Sequence, residues 1–120
     1  RKYPNNDIVL HNVGLFYQNN NEINKAIELY SRAIVLNENS YNTYYNLGHL
    51  HQELKLYDKA NSYFLKALEI NPLYHESAYG VGYCFESVGD ISNALYYYKK
   101  ALEIKEDYKP ASDRINSINN

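Results

Sequence analysis

Small residues recur through this chain at one fixed interval. Gly14, Gly48 and Gly82 are spaced by about 34 residues, as are Ala26, Ala60 and Ala94, and again Ala33, Ala67 and Ala101. An aromatic series, Tyr30, Phe64 and Tyr98, keeps the same step. Four independent positions in one register, with no insertion between them, are the signature of a repeat array, in which each unit buries its apolar face only against its neighbours.

Within each unit the spacing is helical. Leu10, Val13 and Tyr17 fall three and four residues apart, and so do Ile27, Tyr30 and Ile34, which places each set on one helical face. A glycine inside a helix costs ~1 kcal/mol relative to alanine, so three in register need a packing reason. The expectation is a hairpin of two helices, with Gly on the first and Ala on the second allowing their backbones to approach. The second alanine series would seat the second helix against the next unit. Asn24, Asp58 and Ser92 are expected as N-caps, each preceded by a bulky residue (Ile23, Tyr57, Ile91) that staples the turn. Helices are expected over 7–19, 24–36, 41–53, 58–70, 75–87, 92–104 and 109–118.

The stretch from Tyr41 to Pro72 carries a family resemblance. It matches the tetratricopeptide signature at Tyr44, Leu47, Gly48, Ala60, Phe64, Ala67 and Pro72, with His51 in place of the usual Tyr. The chain resembles a tetratricopeptide-repeat (TPR) protein over nearly its whole length. That resemblance implies an all-α, right-handed superhelix (an α-solenoid) of three helix-turn-helix hairpins plus a terminal helix. The expected division is a connector at 1–6, repeats at 7–40, 41–74 and 75–108, and a capping helix at 109–120. Repeat one departs from the pattern at Leu10 and Glu38, and repeat three at Ala78 and Glu106. In the last segment Pro110 suits a helix start. Ile115 and Ile118 form a narrow apolar stripe opposite Asp113, Arg114 and Asn116. Such a helix covers the end of the array or begins a fourth repeat.

Composition removes several classes of function. Lys+Arg 12 against Asp+Glu 14 gives a formal charge of -2, which argues against a nucleic-acid or anionic-membrane partner. No apolar run is long enough to span a bilayer, and no signal peptide is expected. The single cysteine excludes an internal disulfide and fits a reducing, cytoplasmic compartment. Cys84 falls at the position of Phe16 and Leu50 in the other repeats, as a small buried thiol would. The chain has no methionine and opens at Arg1, as an excised fragment or processed product would. Gly80-Val81-Gly82 continues a helix and lacks the third glycine of a dinucleotide loop. His49 and His51 point to different helical faces, and His11 and His75 add no ligand cluster, so no metal site is expected. No catalytic pair and no cofactor site stand out.

The resemblance also implies a concave groove lined by the first helix of each hairpin, at its second, fifth, sixth, ninth and twelfth residues. The candidate peptide-binding residues there are His11, Asn12, Tyr45, Asn46, His49, Tyr79 and Tyr83, joined by Arg114 from the last helix. Asn12 and Asn46 resemble the asparagine ladder with which some family members grip a peptide backbone, each amide donating to a C=O and accepting from an N–H. Gly80 interrupts that ladder and is placed on the same wall, where a methyl group should be neutral or stabilising. Family members that hold the acidic tails of heat-shock chaperones use a clamp whose basic positions fall here on His11, Glu76 and Gly80. Only Asn46 matches, so chaperone-tail binding is not implied. The expected function is a non-catalytic scaffold for an extended peptide or partner helix. The alternatives are a structural module that self-associates through the ends of the array, and the regulatory arm of a larger enzyme such as a glycosyltransferase-type protein.

Overall fold

The structure, a computed structural model, describes residues 3–120. Arg1 and Lys2 of the expected connector lie outside the described residues. Seven helices form among the described residues, with no strand: α1 (Asp7–Asn19), α2 (Ile23–Leu36), α3 (Tyr41–Glu53), α4 (Tyr57–Ile70), α5 (His75–Ser87), α6 (Ile91–Ile104) and α7 (Lys109–Asn119). Consecutive helices pack as hairpins, α1 with α2, α3 with α4 and α5 with α6. The second helix of each hairpin then packs on the first helix of the next, or on α7. Because α3 also touches α5 directly, the first helices line the inner side of the stack and the second helices its outer side. The result is an elongated body of 52 × 25 × 21 Å.

The periodic small residues do the expected work with a different partner. All six registered alanines are buried, but each registered glycine faces an aromatic ring first, and only Gly82 also meets its alanine, the Ala94 carbonyl oxygen at 3.2 Å from a Cβ placed there. A Cβ at Gly14 would stand 2.9 Å from the Tyr30 ring, one at Gly48 2.7 Å from Phe64, and one at Gly82 2.7 Å from Tyr98. Real Cβ atoms do not approach so closely, so each glycine makes room for the fully buried ring of its own hairpin. His51, standing where the family has Tyr, is also buried. It donates from Nδ1 to the Leu47 carbonyl (2.8 Å) and lies 5.1 Å from the Tyr63 ring.

The hairpin turns correct one expectation. The helices begin at Ile23, Tyr57 and Ile91, so the caps are Glu22, Leu56 and Asp90, two residues before Asn24, Asp58 and Ser92. The physical reason is a compact turn of one design. Asn21 and Lys55 have φ of 61° and 62°, and Gly89 has φ of 87°. The next residue's N–H reaches back to close each preceding helix, Glu22 to the Tyr17 carbonyl (2.8 Å), Leu56 to His51 and Asp90 to Phe85 (both 2.9 Å). This left-handed residue with a six-residue back-bond is the Schellman closure, and it leaves room for only three residues between helices. Of the three caps, only the Asp90 side chain accepts from the following turn, at Asn93 N–H (3.2 Å).

At the C-terminal end, Ala111, Ile115 and Ile118 of α7 pack on a cluster containing Ala94, Tyr98, Ala101 and Leu102 of α6. Pro110 is the second helical residue, where a missing N–H costs no helical bond.

Candidate functional site

The inner wall is built from α1, α3, α5 and the start of α7. Its organising element is a three-residue hydrogen-bonded contact that forms in the first and third cycles. The Tyr30 hydroxyl donates to Gln18 Oε1 (2.6 Å) and accepts from Asn46 Nδ2 (3.3 Å). Two cycles later, the Tyr98 hydroxyl donates to Glu86 Oε1 (2.7 Å), and the Arg114 guanidinium binds both oxygens of Glu86. In the middle cycle the ring is Phe64, which has no hydroxyl. Gln52 there turns to Cys84 Sγ (3.8 Å) instead, and the third member is Gly80, where a Cβ would stand 2.9 Å from Phe64 Cε1, Cε2 and Cζ.

That arrangement corrects the placement of Gly80. It is buried under the tip of Phe64, not open to the groove. It also gives Asn46 and Arg114 intramolecular partners. Burial pushes the Tyr30 phenol up to about 12, so it remains a neutral donor for Gln18. The hydrogen bonds from Arg114 hold the Glu86 carboxyl below its ordinary value, and that pair is ionised at neutral pH.

Two rings of the expected site are half-buried parts of aromatic clusters. Tyr45 lies 5.2 Å from Tyr74 and 5.5 Å from Phe64, and Tyr79 lies 5.5 Å from Tyr98 and 5.7 Å from Tyr108. The residues that join the hairpins, Tyr74 and Tyr108, therefore fold back on the fifth residue of the preceding first helix. Burial, and the nearby Glu76 carboxylate, push Tyr45 up to about 12. His49 Nδ1 is 3.2 Å from Glu53 Oε2, close but not aligned as a hydrogen bond. Tyr83, 38% exposed, presents its ring to solvent.

Two clefts open on this wall. One, of about 310 Å³, lies between α1 and α3 and is lined by Asp7, Ile8, His11, Asn12, Ala33, Asn37, Ser40, Asn42 and Thr43. His11 Nδ1 is 2.8 Å from Thr43 Oγ1, and burial lowers its pKa, so the ring is neutral at pH 7. Asn37 Nδ2 donates to Asp7 Oδ2 (3.0 Å). The other cleft, about 350 Å³, is lined by Gln52, Glu53, Lys55, Tyr57, Tyr79 and Tyr83. The structure thus brings His11 with Asn12, and Tyr79 with Tyr83, into shared clefts. Asp7 and Glu53 were missed because they are the first and last residues of their helices, outside the inner-face positions. The signal that could have found them is the absence of any Lys or Arg from α1, α3 and α5 beside these acids.

Chemically the wall offers hydrogen-bond donors and acceptors, ring faces and carboxylates. Among the described residues no group of three or more His, Cys, Asp or Glu is placed to hold a metal. Cys84 is buried, and desolvation pushes its thiol up to about 11, which leaves it protonated and unreactive. No helix among the described residues is long and apolar enough to cross a membrane.

A family model described as "Tetratricopeptide repeat" matches residues 39–107, and a second, "TPR repeat", matches residues 14–55. No curated protein sequence matches the chain significantly. Among solved structures, MamA is 29% identical with a TM-score of 0.87, over 90% of this chain and 63% of MamA. The chain thus spans less than two thirds of that relative. The first TPR of Spaghetti (RPAP3), solved with an HSP90 peptide, is 19% identical with a TM-score of 0.91, over 94% of this chain and 90% of that one. YrrB, described as a TPR protein with an unusual peptide-binding site, is 22% identical with a TM-score of 0.87, over 92% and 57%. At these last two identities the likeness is one of fold.

Proposed function

The chain belongs to the tetratricopeptide-repeat family, whose members are generally non-catalytic interaction modules, and from that premise we propose that it is a scaffold holding an extended peptide or a partner helix along its inner wall. The observation that carries this reading is the pair of clefts between successive first helices. They place Asn12 with His11 at one end and Tyr79 with Tyr83 at the other, with Tyr45, Asn46 and His49 between. Flat rings with polar edges and a free amide are the groups that recognition surfaces use. Peptide binding by Spaghetti and YrrB is in keeping with it. A carboxylate clamp is disfavoured, because Glu76 and Gly80 stand at two of its basic positions and Arg114 is neutralised by Glu86.

The test uses a ligand selected from a peptide library. Asn12→Ala with Tyr83→Ala removes one hydrogen-bonding group and one ring from exposed positions. A lost hydrogen bond costs ~0.5–1.5 kcal/mol and a buried ring more, so the double variant should bind tens of times more weakly with an unchanged melting curve. Equal binding by the variant would move the site elsewhere.

Self-association is a second reading, supported by one observation. Phe16 is 60% exposed on α1, whereas its counterparts Leu50 and Cys84 are 1% and 2% exposed against the preceding hairpin. A concentration-dependent mass in solution, lost in Phe16→Ser, would favour it.

A further inference from the structure

We propose that the segment held on the inner wall is basic, an extended peptide carrying lysine or arginine, and that one of its cationic side chains enters the cleft between α1 and α3. The proposal rests on the reading of the inner wall as the binding surface and names the chemistry of its occupant.

The charges of this chain are segregated. The three inner helices carry Asp7, Glu53, Glu76 and Glu86 and no lysine or arginine. Six of the cations, Lys25, Arg32, Lys59, Lys66, Lys99 and Lys100, sit on the outer helices α2, α4 and α6. The two cations on α7 are already paired. Arg114 is bound to Glu86, and Lys109 Nζ lies 3.0 Å from Asp113 Oδ1. After those pairs cancel, Asp7, Glu53 and Glu76 leave the wall acidic. Lys55, in the turn after α3, stands beside Glu53, and the outer helices set their six cations against Glu28, Asp58, Glu69 and Glu103, so the net charge of -2 conceals the acidic inner wall. Electrostatic complementarity then selects a cationic partner and rejects an acidic one.

The cleft between α1 and α3 fits the head group. Asp7 is the one charged residue among those lining it, and His11 there is neutral. Asp7 Oδ2 is held by Asn37, while its Oδ1 and the Asn12 side chain take no protein partner among the described residues. An ammonium brings three donors and a guanidinium five, which these acceptors receive, while Ile8 and Ala33 flank the aliphatic stem. Two helix N-termini and one C-terminus end here, so their partial charges offset in part. The first N–H groups of α1 are already spent on Asn6 Oδ1, at 2.9 and 3.1 Å. The full charge that remains is that of Asp7. In the second cleft Lys55 stands beside Glu53, so the first cleft discriminates.

The experiment compares three labelled peptides, alternating Lys-Ser, Gln-Ser and Glu-Ser, by fluorescence anisotropy, with amide chemical shifts locating each on the protein. The Lys-Ser peptide should bind, shift Asp7, His11, Asn12 and Asn42, and weaken as salt is raised. Asp7→Asn, which keeps an oxygen for Asn37, should lose about five- to tenfold in affinity for it. Asn12→Asp, a charge added at an exposed position, should gain affinity for the same peptide. Stronger binding of Glu-Ser, or an Asp7→Asn that binds Lys-Ser unchanged, overturns the proposal. So does a failure of all three peptides to bind. Equal binding of Gln-Ser and Lys-Ser on the inner wall overturns the basic occupant yet leaves the groove standing. Shifts confined to α2, α4 and α6 overturn the groove itself.

Discussion

Gly80 lies against the tip of the Phe64 ring, so close that a Cβ would stand 2.9 Å from three of its atoms. The same ring meets Gly48 at Cδ1 and Cε1, where a Cβ would stand 2.7 Å away. One aromatic side chain of α4 is therefore wedged between glycines of α3 and α5, and it joins two hairpins at a single point.

Gly80→Ala should destabilise the protein by about 1–3 kcal/mol, the usual cost of overpacking a closed site. Helix propensity alone would predict a gain of up to ~1 kcal/mol, so the sign decides between a buried and an open glycine. Urea melts give the answer. Combining Gly80→Ala with Phe64→Leu should recover part of the loss, because the two sites share one contact. A stabilised Gly80→Ala would mean that the ring does not occupy this space.

Lys55 holds a left-handed backbone at φ 62°, where Gly89 sits in the equivalent turn. A non-glycine residue is strained there by roughly 1–2 kcal/mol. Lys55→Gly should raise stability by about 0.5–1 kcal/mol once the added freedom of the unfolded chain is counted. Gly89→Ala should lower it by a similar amount. Thermal melts that rank the two variants the other way would contradict the turn geometry.

Removing residues 109–120 should expose Tyr98, Ala101 and Leu102 of α6, which α7 covers through Ala111, Ile115 and Ile118. The shortened protein should associate or melt earlier, as a repeat array with an uncovered apolar end does. A shortened chain that is monomeric by sedimentation, with an unchanged melting temperature, would show that α7 contributes nothing to the stack.

The Glu86–Arg114 pair ties α5 to α7, and its stabilisation depends on pH with a definite sign. Hydrogen bonds from Arg114 lower the Glu86 pKa below that of an ordinary glutamate. The stabilisation is therefore complete above that value and is lost as pH falls through the folded-state pKa. Glu86→Gln should be less stable at neutral pH by about 1 kcal/mol, since the arginine is partly solvated. The gap between variant and parent should close in acid. A gap that stays constant through the acid range would leave the carboxylate's charge without a role.

Much of the fold was legible because it depends on local periodicity. The step shared by Gly14, Gly48 and Gly82, the three- and four-residue spacing of Leu10, Val13 and Tyr17, and the apolar stripe of Ile115 and Ile118 each report which side of a helix is buried. Helix ends were legible to within a residue, but the caps were not. An N-cap depends on how the previous helix closes, and the closure at Asn21, Lys55 and Gly89 is a backbone conformation that the cap residues do not encode.

By itself, the sequence determined the array: seven helices among the described residues, in three hairpins and a terminal helix, with the registered alanines, Tyr30, Phe64, Tyr98 and Cys84 inside. Only the tertiary structure decided what the inner wall presents, because that turns on pairs distant in the chain. Asn46 is partly engaged because Tyr30 carries a hydroxyl, and Gly80 is covered because the Phe64 ring lies against it. Arg114 is neutralised because Glu86 lies one hairpin away. Asp7 and Glu53, at helix ends where periodicity assigns no face, reach the wall because neighbouring hairpins leave clefts between them. Periodicity tells a residue's face, whereas its freedom to bind depends on which polar group the next hairpin brings within reach.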